Sequence, residues 1–224
     1  MPAVNTRPAL TPQKSLGIYQ LFWIFFWGCF LGVVWETLWC RLTQGIWASR
    51  TGLVWGPFNL VYGLGAVVLT VCLQWTAGRS FLWSFLGGFV LGSVFEYLCS
   101  LCQELLFGAV SWQYDVRWNL DGRINLYYSL FWGALAVVWI KRLCPFLCRR
   151  MSRLPARLTR PLAWVLAVFM AANTLVSAAA VGRWSARRAG EPPENSLELL
   201  LDRRFGDQRM ERIYPNMIFL PAAR

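Results

Sequence analysis

The chain has 224 residues and is 57% hydrophobic by composition, with 22 Lys and Arg against 11 Asp and Glu and no histidine. Without imidazole there can be no Ser-His-Asp triad, histidine metal site or histidine proton shuttle. The +11 net charge is confined to the ends of long apolar stretches, which excludes a soluble globular domain and a nucleic-acid binder.

Uncharged windows run over 15–35, 51–78, 80–95, 124–140 and 161–182. A bilayer core takes roughly 20 mostly apolar residues per helix. Three windows reach that length, the fourth falls just short, and the third reaches it only if Glu96 lies inside the span. The spacing predicts an all-α membrane protein with about five transmembrane helices. The first window lacks a small-residue cleavage pattern after a short apolar core and is expected to stay as a helix.

The predicted organisation is an N-terminal segment 1–16 and a membrane core 17–143 of two helix-loop-helix copies (17–78 and 80–143). A basic linker 144–160, a fifth span 161–182 and a tail 183–224 follow. From Lys141 to Arg160 there are seven basic residues and no acid, which places that linker in the cytoplasm by the positive-inside rule. Five spans then put the N-terminus, with Arg7 and Lys14, inside and the tail outside. Arg183, Arg187 and Arg188 argue the other way. The tail reads as a Pro-Pro break followed by a short helix over Ser196 to Arg212.

Shifting the sequence by 60 lays Trp23 to Leu38 on Trp83 to Leu98 with eight identities in sixteen positions, including Gly28/Gly88, Gly32/Gly92 and Glu36/Glu96. A second match, at an offset of 66, lays Gly56 to Leu64 on Gly122 to Leu130 and pairs Asn59 with Asn125. Two parallel copies related by an axis along the membrane normal are expected. Gly28, Gly32 and Glu36 share one helix face, as do Gly88, Gly92 and Glu96. Small residues at that spacing let helix backbones approach closely in lipid. The simplest packing puts the first and third helices together with the two glutamates near each other.

A carboxylate inside a span is costly unless paired, protonated or wetted, so Glu96 and its counterpart Glu36 are the leading pathway or ligand candidates. Glu104 extends the same stripe. Tyr114, Asp115 and Arg123 lie in a polar, aromatic loop over the expected outer mouth, where Arg123 suits a carboxylate or phosphate. Asn59 and Asn125 stand at matching places near the starts of their helices, where they serve backbone groups or touch a ligand. The seven cysteines have no histidine to join them, no metal set or cofactor is indicated, and small buried hydrophobes is the expected role.

The glycine-glycine-glutamate frame, Gly56-Pro57 with Tyr62-Gly63, Glu96-Tyr97 to Glu104, Trp112-Gln113-Tyr114, Asn119 and Gly122-Arg123-Ile124 together resemble the ABC-transporter type IV permease family (CmpB-like). So does the tail from Leu201 to Met217. The resemblance covers about residues 17 to 220 and departs at Gln113 and Val116, where the family pattern would read Trp-Asp-Tyr-Ser. It implies a multi-pass bacterial inner-membrane protein. The leading functional expectation is a permease subunit that moves or positions a small or lipid-like substrate between the two copies. The chain carries no Gly-x-x-x-x-Gly-Lys-Ser/Thr loop, so ATP use requires a separate ABC ATPase subunit. The lipid bilayer and a second copy of the chain are the other partners expected. Competing readings are an intramembrane lipid-modifying enzyme using Glu96, Glu104 and Asp115, and a non-catalytic scaffold or regulator.

Overall fold

A computed structural model describes residues 16–220. Those residues form seven helices. They are α1 (Ile18–Gln44), α2 (Leu60–Leu73 with a 3-10 turn, Gln74–Thr76), α3 (Phe81–Phe107), α4 (Leu126–Ser152), α5 (Ala156–Arg188), α6 (Ser196–Arg204) and α7 (Asp207–Ile213). Four of them, α1, α3, α4 and α5, are long and apolar enough to cross a bilayer. Arg7, Lys14 and Arg224 lie outside the described residues.

The second expected span begins later than the uncharged window suggests. Residues 50–59 are non-helical and α2 starts only at Leu60, so with its 3-10 turn α2 is about 25 Å long, short of the roughly 30 Å hydrocarbon core. Gly52, Gly56 and Pro57 break the helix, and α5 takes over the backbone bonding. Ser177 Oγ accepts from Val54 N at 2.9 Å, while Asn173 accepts from Trp55 N at 3.2 Å and donates to Trp55 O at 2.7 Å. Asn173 is fully buried, and its two bonds do for Trp55 what water would do outside the membrane.

The glycine faces also pack differently from the expected α1–α3 pair. A Cβ on Gly28 would sit 2.9 Å from the Ala66 methyl and 3.0 Å from Gly63 Cα, and one on Gly32 would overlap the Tyr62 ring. Gly88 faces Ala136 and Gly133, and Gly92 faces the Trp132 ring. Each helix therefore uses its glycines to close on its own hairpin partner, which the following loop returns antiparallel beside it. Contacting residues correspond at an offset of 70: Tyr62 with Trp132, Gly63 with Gly133 and Ala66 with Ala136. The caps Asn59 and Asn125 remain 66 apart, each accepting from a backbone N–H of its own first turn. Helix α4 thus carries one extra turn ahead of its glycine contact, and that turn holds Tyr128 and Ser129.

Toward its far end α4 contains a π-helical segment, Trp139–Leu143. Pro145 has no N–H to give, and Cys144 N reaches back to Trp139 O. Lys141 Nζ donates to the carbonyls of Thr76, Ala77 and Arg79 at 2.8, 3.0 and 2.5 Å, which ties the α2–α3 turn to this end of α4.

The tail docks at the opposite end. Strand β1 (Ala109–Val110), after α3, pairs with β4 (Ile218–Phe219). The expected single tail helix is broken at Phe205-Gly206 because Phe205 turns inward to a core with Val54, Val181, Trp184, Leu201 and Met210. Arg183 and Arg187, the residues that argued for an inside tail, hold Asp202. The tail and the basic linker therefore occupy opposite ends of the bundle.

Candidate functional site

The extra turn of α4, the stripe of α3 and the α3–α4 loop converge on Glu96, whose residue is 6% exposed. Its Oε1 accepts from the Tyr114 hydroxyl at 2.6 Å and its Oε2 from Trp132 Nε1 at 2.9 Å. Both donors are uncharged, and among the described residues Glu96 forms no ion pair. Two hydrogen bonds localise this carboxylate without cancelling its charge, so it is a held acceptor for a positive group or a proton. The same Trp132 ring closes over Gly92, and this close approach aims the indole N–H at Glu96.

Tyr114 is positioned twice, by its bond to Glu96 and by stacking on Tyr128, with centroids 4.8 Å apart. Burial and the neighbouring Glu96 charge push its phenol far above the ordinary range, so it remains an O–H donor at physiological pH. Ser93 bonds Ser129 at 2.7 Å below the stack, and Ser129 bonds the Asn125 carbonyl at 2.9 Å.

Glu36 is the more open of the pair and has a cation. Arg50 Nε stands 3.6 Å from Glu36 Oε1, and the guanidinium also donates to Cys40 Sγ at 3.1 and 2.7 Å. Asn59 holds the Arg50 carbonyl at 3.2 Å, so this asparagine supports the arginine through the backbone while capping α2.

Above Glu96, Arg123 pairs with Glu104 and donates to Ser100 Oγ at 3.2 Å, with its guanidinium 5.6 Å from the Tyr97 ring. Its Nε is buried and unpartnered. Tyr97 donates to Asp121 at 2.9 Å. Asp115 is exposed and makes no side-chain bond to another described residue, so it stands apart from the cluster. A β2–β3 hairpin (Asn119–Leu120 with Ile124–Asn125) carries Arg123 into place, with Trp118 and Asp121 at positive φ. An open cleft of about 310 Å³ runs beside it, lined by Trp118, Leu120, Ile124, Asn125 and Ser129.

Apart from Asp115, the charged sequence candidates therefore fall into three groups: Glu36 with Arg50, Glu96 with Tyr114 and Trp132, and Glu104 with Arg123. Arg50, Trp132, Tyr128 and Ser129 are the residues the sequence reading missed. A signal for Trp132 existed: Tyr62-Gly-Leu-Gly-Ala66-Val-Val68 aligns with Trp132-Gly-Ala-Leu-Ala136-Val-Val138 at the offset of 70. Among the described residues no group of three or more acidic, cysteine or histidine side chains could hold a metal ion.

A family model described as "Putative ABC-transporter type IV" matches residues 23–178. No curated protein and no solved structure matches the chain.

Proposed function

From the premise that the chain belongs to the ABC-transporter type IV family, and is a membrane protein of transporter type, we propose that it is a multi-pass permease subunit of a bacterial inner membrane. It moves or positions a small or lipid-like substrate that carries a positive group, and a separate ABC ATPase supplies the energy. The observation that carries this reading is Glu96, buried inside the second hairpin with both oxygens held by neutral donors from α4 and the α3–α4 loop and, among the described residues, no cation of its own. An uncompensated carboxylate in low dielectric is stabilised by any positive group that reaches it. Glu36 with Arg50 and Glu104 with Arg123 are already balanced, which leaves Glu96 as the carboxylate of the three without a cation.

The basic linker faces the cytoplasm in this reading, the N-terminus lies on the same side and the tail on the other. Two internal copies and a fifth helix make the membrane unit, which could assemble with a second copy of itself. The lipid-modifying alternative is less supported because its acids do not converge: Glu104 is paired with Arg123 and Asp115 is exposed. The test is purification of the full chain from native membranes with crosslinking. Recovery of a phosphate-loop ATPase, together with loss of uptake or export in Glu96→Gln, supports the proposal. Turnover of a lipid by the purified chain alone overturns it in favour of the enzyme.

A further inference from the structure

Arginines at the tail end are partly neutralised by carboxylates, and those at the other end are not. At the tail end Arg50, Arg123, Arg183, Arg187 and Arg188 each hold a carboxylate. At the other end Arg149, Arg150, Arg153, Arg157 and Arg160 are all exposed, and among the described residues none forms an ion pair or donates a side-chain hydrogen bond. No acid lies between Lys141 and Arg183.

Their placement is as informative as their number. Helix α4 ends at Ser152 and α5 begins at Ala156, so the arginines gather at the corner where the two helices meet. Arg149, Arg153, Arg157 and Arg160 follow one another at steps of four, four and three. The uncharged stretch of α5 starts immediately after Arg160, which puts Arg157 and Arg160 where the hydrocarbon gives way to headgroups. Exposed apolar residues interleave with them: Phe146 at 47%, Leu154 at 55% and Leu158 at 67%. Arg150 lies over the Phe146 ring at 5.2 Å. A soluble acidic partner would meet these leucines as a cost, whereas a bilayer surface buries them and leaves the guanidinium groups at phosphate depth.

We propose that the α4–α5 corner is a binding site for anionic phospholipid, with the forked donors of Arg149, Arg153, Arg157 and Arg160 gripping lipid phosphate. The site is independent of the Glu96 pathway and of which compartment the corner faces. An anionic lipid held here clamps the junction between the repeat core and the fifth helix.

The test is native mass spectrometry of the full chain in mild detergent, titrated with phosphatidylglycerol or with phosphatidylcholine of the same acyl chains. Wild type is expected to retain phosphatidylglycerol at least tenfold better. Each arginine near an anionic surface is worth roughly a fivefold change, so the pair Arg153→Gln/Arg157→Gln should lower that retention roughly thirtyfold. Glu96→Gln should leave it unchanged, and excess inorganic phosphate should not displace the lipid. A thermal midpoint equal to wild type shows that the double variant is folded; Arg157→Lys, which keeps the charge and loses the fork, should retain only part of the preference. Equal retention of both lipids, an unaltered preference in the double variant, or displacement by inorganic phosphate overturns the proposal. So does loss of a copurifying soluble protein from the double variant with lipid preference intact.

Discussion

Trp132 donates its indole N–H to Glu96 Oε2 at 2.9 Å while its ring closes over Gly92, one turn before Glu96 on the same helix. One side chain therefore packs tightly across the hairpin and orients its buried acid. Trp132→Phe keeps an aromatic ring of smaller size and removes the donor, and a cost of roughly 1–3 kcal/mol is expected for the charged acceptor left one bond short. Tyr114→Phe removes the other donor and keeps the Tyr128 stack. Thermal unfolding in detergent should show each single change as modest and the double change as larger than their sum, because Glu96 then loses both donors.

Gly92→Ala should destabilise by roughly 1–3 kcal/mol, since the added methyl would overlap the Trp132 ring, and Gly32→Ala should do the same against Tyr62. Gly182→Ala is the control. It has nothing within 4 Å of an added Cβ and lies inside α5, so it should be neutral or slightly stabilising. Equal melting temperatures for all three would contradict the packing of α1 and α3 on their own hairpin partners.

Asn173→Leu should be among the most costly changes in α5. It leaves both backbone groups of Trp55 without a partner in the membrane, at roughly 1–3 kcal/mol for each. Thr174→Val, one residue on, loses only a bond to its own helix and should be mild. Thermal unfolding in detergent should show a large loss in Asn173→Leu and little change in Thr174→Val.

The docking of the tail should weaken in acid. Arg183 and Arg187 hold the Asp202 carboxyl below its ordinary range, so its folded pKa is the lower one. Its stabilisation is complete above the unfolded carboxylate value near 4 and is lost as pH falls through the folded value. Protease sensitivity of the segment after Gly190 should rise in that window, and Asp202→Asn should show the same sensitivity at neutral pH.

Much of this architecture could be read from the chain because lipid imposes simple rules. Charge-free windows located the long helices, and the Gly-Gly-Glu frame located Glu96 and its counterpart. The 50–59 break was hidden because its glycines and proline sit in an uncharged stretch, and the groups that satisfy it, Asn173 and Ser177, lie about 120 residues away. One partner of Glu96 was hidden for a related reason. Trp132 looks like an interface aromatic in composition, and only the one-turn shift of α4, visible as the 70-residue correspondence beside the 66-residue one, turns it toward the acid. The fold of the tail depended on Phe205 leaving its helix for a distant core, which no local periodicity encodes.

The most direct test of the central claim compares the compounds distributed across the membrane in cells lacking the protein with those in cells expressing wild type, Glu96→Gln or Glu36→Gln at equal membrane levels. A solute or lipid bearing a positive group should regain its normal distribution with wild type and fail to do so with Glu96→Gln, with Glu36→Gln intermediate. Full restoration by Glu96→Gln would contradict the assignment of Glu96 to the transport path.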